Sequence, residues 1–309
     1  MSKFLKASVL LALLVIGTTG YSPNGFALKQ AGRDQKPDGT AVSSVKKIPY
    51  YGSEFFQIIS SKPKKVDVKA EISLILNGAH VTDGSNMDII SEKCGSASRC
   101  YSHKPITYKQ AQTFLMGKMY LVKNGNKYAV KDVYCEKEYT EDDFETSEVP
   151  GPNVVPDHSV INVEHTWPQS KFTSAFAKEI QKVDLHHLYP TDSKLNSIRG
   201  NYPFGEVVRS KKVLHCESGA MFGDPEQGPG PVFEPPAKHK GNVARALFYF
   251  SSKYHMAIDP AQEAALKKWH IEDPVDAEEM RRNEEIYKVQ MSRNPFIDYP
   301  ELASQISDF

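Results

Sequence analysis

Residues 162–172 read NVEHTWPQSKF, and residues 184–207 read DLHHLYPTDSKLNSIRGNYPFGEV. The first stretch sets a carboxylate, Glu164, beside an imidazole, His165, just ahead of Pro168, a residue that helix interiors do not tolerate. In the second, Thr191-Asp192-Ser193 supplies helix caps, so Lys194 to Arg199 opens a short helix with Asn196 and Arg199 three apart on one face. His165 precedes Asn196 by 31 residues, which accommodates a strand, a turn and a return strand. A strand pair followed by a helix would bring Glu164, His165 and Asn196 together.

Those three side chains suit one kind of chemistry. A carboxylate and an amide oxygen are hard ligands of the type Mg²⁺ accepts, and Mg²⁺ keeps waters or substrate phosphate oxygens in its other positions. A neutral histidine beside them can take a proton from an attacking water. The set fits hydrolysis of a phosphodiester, with the metal stabilising the phosphate and the histidine making the nucleophile. Two carboxylates for a second metal are not evident.

Four segments, NVEHTWPQS, DLHHLYPTDSKLNSIRGNYPFGE, GNVARALFYF and RNPFIDYP, occur in the order in which similar ones occur in a known family. The chain resembles the endonuclease I family of exported bacterial nucleases, within the ββα-metal (His-Me finger) superfamily, over roughly Tyr50 to Pro300. The resemblance implies a mainly helical α+β domain at 48–300, with a ββα-metal motif and a small antiparallel sheet. It also implies a single-metal enzyme that cuts DNA, and often RNA, with little sequence preference and leaves 5′-phosphate ends. Carried over, His165 corresponds to the general base and Glu164 and Asn196 to the Mg²⁺ ligands, with Mn²⁺ or Ca²⁺ as substitutes. Arg199 and Arg245 fall on arginines of the matching motifs and are the candidate substrate-binding residues.

Two departures stand out. Some members carry a longer, cysteine-bearing insertion after the histidine motif, with a phosphate-binding arginine; here Gln169 to Val183 contains lysines and no arginine. Ser197 stands where glycine is common. Arg245 is then the first choice for the scissile phosphate. It sits in the first turn of an expected helix, where the dipole disfavours a cation, so it needs an anionic partner, either a phosphate or a buried acid. The runs Ser210–Lys212 and Lys238–Lys240 are candidates for nonspecific contacts to backbone phosphates.

Outward from this centre, a hydrophobic fraction of 40% with 25% charged residues excludes a disordered chain. Lys3 and Lys6, the apolar run Ala7 to Gly17 and the small residues around Phe26 read as a signal peptide over 1–27, followed by a polar lead-in at 28–47. Nothing later approaches the roughly 20 apolar residues of a membrane span, so a secreted or periplasmic protein is expected, with no obligate protein partner implied. Such compartments permit disulfides, and the expected pairs are Cys94 with Cys100 and Cys135 with Cys216. The net charge is zero, but Glu136 to Glu148 is acidic and His165 to Arg245 has a basic excess, which favours an anionic substrate at the second region.

Secondary elements follow from periodicity. Helices are expected over Val68 to Ala79, with Ala70, Ile72, Leu74 and Ile75 as the apolar set, and over Thr107 to Gly117. A hairpin is expected with strands at Met119–Val122 and Tyr128–Tyr134 around Asn124-Gly125. Asn242 is read as the N-cap of a helix running to Met256, and Asp276 with Glu279 as the capping signature of a last helix, leaving 301–309 as a tail. Trp167 is assigned to the core, and one of His186 and His187 to a structural role. Two other readings stay open: an exported nucleic-acid-binding or adhesion protein without cleavage, and a zinc hydrolase using His165, His186 and His187.

Overall fold

The computed structural model describes residues 46–61, 67–82, 86–96, 99–214, 216, 218–226 and 228–309. The expected signal peptide and the lead-in up to residue 45 lie outside them. The described chain begins with a 3-10 turn at Pro49–Tyr51, then α1 (Gly52–Ser61) and α2 (Val68–Asn77). Asp67 opens α2 by accepting the Ala70 N–H at 3.1 Å, which satisfies one of the amides a helix start leaves free. Gly78 ends it, where a Cβ would lie 2.6 Å from the Leu74 carbonyl oxygen. The buried apolar stripe is Ile72, Ile75 and Leu76, whereas Leu74 is 65% exposed; positions i, i+3 and i+4 share a face and Leu74 falls off it.

Three short strands, β1 (Ala79–Val81), β2 (Ile89–Ser91) and β3 (Cys100–Tyr101), form an antiparallel sheet in the order β2-β1-β3. They are too short to show alternation in sequence. Thr107 caps α3 (Tyr108–Phe114) in a reciprocal capping box with Gln110, and a wide helical turn continues to Met119. The hairpin follows as β4 (Leu121–Asn124) and β5 (Lys127–Lys131), extended by β6 (Glu138–Thr140). Asn124 pairs with Lys127, so the turn is Gly125-Asn126, with Gly125 at φ 60°. The second strand ends at Lys131 and not at Tyr134, because the Asp132 carboxylate takes the N–H groups of Tyr134 and Cys135 and folds them into a turn.

Next come β7 (Ile161–His165), α4 (Lys178–Lys182), β8 (Leu188–Asp192) and α5 (Ser193–Arg199). Strands β7 and β8 pair antiparallel from Ile161 opposite Asp192 to His165 opposite Leu188, and α5 follows at once, its first turn capped by Asp192 through Leu195 N at 2.8 Å. A third antiparallel sheet joins β9 (Arg209–Lys212), β10 (Met221–Asp224) and β11 (Val232–Glu234).

The remainder is helical: α6 (Lys240–Tyr254), α7 (Pro260–Glu272), α8 (Ala277–Gln290) and α9 (Pro295–Asp298). Helix α6 is buried along almost its whole length, so it is the spine of the core, as a helix apolar on most sides must be. Asn242 is inside α6 and does not cap it; the helix starts at Lys240, and the Gly241 N–H goes to Asp273 Oδ2 at 2.8 Å. Asp276 caps α8 through Glu279 N at 2.8 Å. Residues 301–309 are no tail: Leu302, Ile306 and Phe309 are buried, and Phe309 stacks on Phe248 of α6 with centroids 4.2 Å apart. Both expected disulfides are formed, Cys94–Cys100 and Cys135–Cys216. The described chain from Lys46 onward is one compact α+β unit, and no helix in it is long and apolar enough to cross a membrane.

Candidate active site

Alternate residues of a strand share a face, so Asn162 and Glu164 project from the same side of β7, toward α5. Asn196, in the second turn of α5, meets them there: its Nδ2 donates to Asn162 Oδ1 at 2.7 Å and to the Val163 carbonyl at 3.2 Å. Both amide protons are thereby committed, and Oδ1 has no partner among the described residues. Glu164, 1% exposed, is held through one oxygen only. Tyr134 donates its hydroxyl to Oε1 at 3.0 Å, and Arg199 Nη1 pairs with the same atom at 2.9 Å. Oε2 is engaged by neither.

His165, at the end of β7, donates from Nε2 to the carbonyl of Lys182 at 3.1 Å. A carbonyl accepts only, so this bond fixes the tautomer and leaves the lone pair on Nδ1. Nδ1 receives a long contact from the Gln169 amide nitrogen at 3.4 Å, one that a water can displace. Burial, and then the neighbouring His187, push the imidazole down to about 3. It is neutral at physiological pH. Burial pushes the Glu164 carboxyl up, with Arg199 and Tyr134 acting against that.

Glu164, His165, Asn196 and Arg199 line one open cleft of about 260 Å³, with Gln169, Ser170 and Asn201 at its mouth. Two uncommitted oxygens, Glu164 Oε2 and Asn196 Oδ1, and one imidazole lone pair therefore share a cleft. That donor set fits a hard divalent cation with open positions for water or phosphate oxygens. Partners that use up the other atom of each ligand are the usual way a ligand is oriented.

Arg199 has a different place from the one expected. It is 2% exposed, donates to the carbonyls of His165 at 2.9 Å and Thr166 at 2.6 Å, and its guanidinium lies 4.4 Å over the Phe204 ring. These contacts tie the helix to the end of the strand and neutralise Glu164. Arg245 is fully buried, with Nε 2.8 Å from Glu279 Oε1 and Nη2 2.5 Å from Oε2, and it also donates to the Asp273 carbonyl at 2.9 Å. Of its two expected partners the buried acid is the one present, and Arg245 does not line the cleft. The basic residue beside His165 is Lys182, whose Nζ lies 4.5 Å over the Tyr108 ring, itself stacked near His165.

His186 and His187 are both fully buried, and each binds a backbone carbonyl through Nε2, Ser292 at 3.0 Å and Gln181 at 2.8 Å. Among the described residues no group of three His, Cys, Asp or Glu side chains is placed to hold a metal. Trp167 is buried and stacks on Phe250. Tyr134 and Asp132 are absent from the motif reading. Asp132 Oδ1 accepts the N–H groups of Tyr134 at 3.0 Å and Asp192 at 2.9 Å, so one carboxylate ties the residue that holds Glu164 to the start of α5. The signal for Asp132 was an Asx-type turn residue interrupting a β-branched run; nothing local marks Tyr134.

The Endonuclease I family profile matches residues 90–301. Curated relatives include an extracellular ribonuclease of Bacillus subtilis (strain 168), 34% identical over 47% of this chain and 53% of its own. An extracellular deoxyribonuclease of Aeromonas hydrophila is 30% identical over 37% of this chain and 48% of its own, and Endonuclease-1 of Buchnera aphidicola subsp. Baizongia pistaciae is 27% identical over 38% and 46%. The chain spans about half the length of the curated relatives it matches. With the profile covering well over half of its residues, the cleft-bearing unit included, the chain belongs to the endonuclease I family.

Proposed function

We propose that the chain is an exported, Mg²⁺-dependent endonuclease of the ββα-metal type that hydrolyses phosphodiester bonds of DNA and RNA to 5′-phosphate ends with little sequence preference. The observation that carries this reading is the pair of uncommitted oxygens, Glu164 Oε2 and Asn196 Oδ1, beside the His165 imidazole, whose Nδ1 has only a long contact to Gln169, in one cleft. Relatives named as extracellular ribonuclease and as extracellular and periplasmic deoxyribonuclease support both the substrates and the export.

Glu164 and Asn196 would hold the cation, which supplies Lewis-acid stabilisation of the phosphate's developing charge. His165 takes the proton from the attacking water at Nδ1, while its Nε2–H stays on the Lys182 carbonyl and keeps the ring oriented. A base held as low as about 3 is by itself a weak acceptor; an anionic phosphate beside it raises its basicity toward the useful range. Lys182 supplies positive charge on the histidine side of the cleft. Tyr134 and Arg199 act through Glu164 and are positioning residues.

Purified protein with Mg²⁺ is expected to degrade plasmid and structured RNA and to stop on addition of EDTA; EDTA-resistant cleavage overturns the metal reading. His165→Ala is expected to lose nearly all turnover while keeping its circular dichroism and its nucleic-acid binding. Wild-type turnover in that variant removes His165 as the base.

A further inference from the structure

On the far side of Arg199 and Pro168 the cleft adjoins a second, larger cavity of about 700 Å³. Its walls come from the segment after β7, the 202–208 loop, the glycines and prolines among residues 225, 226 and 228–230, and the first turns of α7. Arg199 and Pro168 line both spaces. A nucleotide with its phosphate at His165 and Glu164 therefore has its neighbouring base or sugar within reach of this cavity. At 700 Å³ it lies in the size range of small-molecule sites, ample for one nucleoside.

The lining chemistry selects which part of a nucleotide enters. Tyr202, 39% exposed, presents aromatic surface, with the edge of the buried Trp167, Val208, Val232 and several prolines around it. The cations on the wall already face acids: Arg199 pairs with Glu164, Lys268 with Glu206 at 2.6 Å, and Lys171 has the Asp259 carboxylate as its electrostatic neighbour. Asp259 also caps α7 by accepting the N–H groups of Ala261 and Gln262, and Glu226, on the same wall, has no ion pair among the described residues. A phosphate entering here would meet the Glu226 carboxylate and cations that already face acids, whereas a neutral aromatic ring carries no charge for Glu226 to repel. One amide is ready for a base edge. Gln262 uses Oε1 to accept the Phe204 N–H at 3.2 Å, which leaves its NH₂ donors free.

Resting on the nuclease reading above, we propose that this cavity is a nucleobase subsite, which seats one unstacked base of the strand being cut, next to the scissile phosphate. A paired and stacked base must leave the duplex to enter, so single-stranded or locally melted nucleic acid is the preferred substrate.

Ala264 lies on the exposed side of α7 and on the cavity wall, so Ala264→Trp fills the space with little demand on the core; Ala261→Phe is a second variant should the first fail to fold. Two measurements test the proposal. In the first, adenosine 5′-monophosphate and ribose 5-phosphate are titrated against the fluorescence of the wild type and of both variants. The nucleotide is expected to give a saturable change in the wild type that the sugar phosphate does not, and that the variants lose. Equal responses to the two compounds overturn the proposal. In the second, cleavage of a single-stranded oligonucleotide is compared with that of its duplex. The single-strand advantage of the wild type is expected to fall about tenfold in the variants, and an unchanged ratio overturns the subsite. A wild type that binds the nucleotide but cuts neither substrate overturns the nuclease reading alone.

Discussion

Replacing Arg199 by methionine keeps a long side chain over Phe204 and removes the guanidinium. Three charge-assisted contacts are lost: Glu164 Oε1 at 2.9 Å, the His165 carbonyl at 2.9 Å and the Thr166 carbonyl at 2.6 Å. Glu164 is then left as a carboxylate, 1% exposed, with only the Tyr134 hydroxyl to solvate it. Breaking one side of a buried ion pair costs about 3–5 kcal/mol, because the surviving charge stays out of water. With an m-value of about 3 kcal/mol per molar urea, that lowers the unfolding midpoint by roughly 1–2 M. Adding Glu164→Gln removes the stranded charge, so the double variant is expected to be more stable than the sum of the two singles requires, by about 2 kcal/mol. The assay is urea unfolding followed by tryptophan fluorescence under non-reducing conditions. A single-variant loss below about 1 kcal/mol, or strict additivity in the cycle, refutes the buried pair as the tie between α5 and β7.

Tyr134→Phe deletes one hydrogen bond to Glu164 Oε1 and is expected to weaken Mg²⁺ activation by about 10–100-fold, recoverable at high Mg²⁺; a Mg²⁺ titration of turnover that overlays the wild type would exclude a positioning role. Acid should destabilise the fold well above the carboxylate range. Burial, the largest cause in each case, holds His103, His186 and His239 down to about 3 and His187 to about 4, from 6.5. For these depressed bases the unfolded chain binds more protons below pH 6.5, so their stability is complete above that pH and is lost as the pH falls. Four such groups cost about 5 kcal/mol between pH 7.5 and 5.5, which thermal melts at those two values would read; equal melting temperatures refute neutral burial. Asp184 extends the loss below about pH 4: burial raises it, but the Lys253 ammonium at 2.7 Å and the surrounding histidines hold it well below the usual range.

The part of the site that is legible in the sequence is the part made by local rules. Asp192, among the capping residues 191–193, marks the start of α5, and the 31 residues from His165 to Asn196 accommodate a strand pair before it, so the meeting of Asn196 with β7 follows from capping and spacing. What stays illegible is the choice of partner at a distance. Arg245 is expected in the first turn of its helix and so to need an anion; it is in fact the sixth residue of α6, and only the packing of α8 shows that the anion is Glu279. Arg199 shares a helix face with Asn196, but its burial against Glu164 depends on Tyr134 and Phe204, which come from other elements. Helix α7 is missed because its apolar residues, Leu266 and Trp269 among the buried ones, are too few to produce a period. The closing residues are missed for a related reason, since Phe309 finds its place against Phe248 and Phe296, which other elements bring to it.

Two cations have a claim on Glu164, and that sets how the proposed site can work. Arg199 takes Oε1 and compensates the charge of a carboxylate that burial disfavours, so the cleft keeps its geometry without a metal. The same pairing spends most of the negative charge that a second cation would seek. Asn196 adds an oxygen but no charge. On the proposed reading, a divalent ion gains modestly from the protein alone and more when anionic phosphate enters the same cleft. Affinity for metal and for nucleic acid must then rise together, because a coupling free energy is the same in both directions. Glutamate paired with arginine beside an uncharged amide thus makes a site that is structurally preformed yet electrostatically incomplete until substrate arrives.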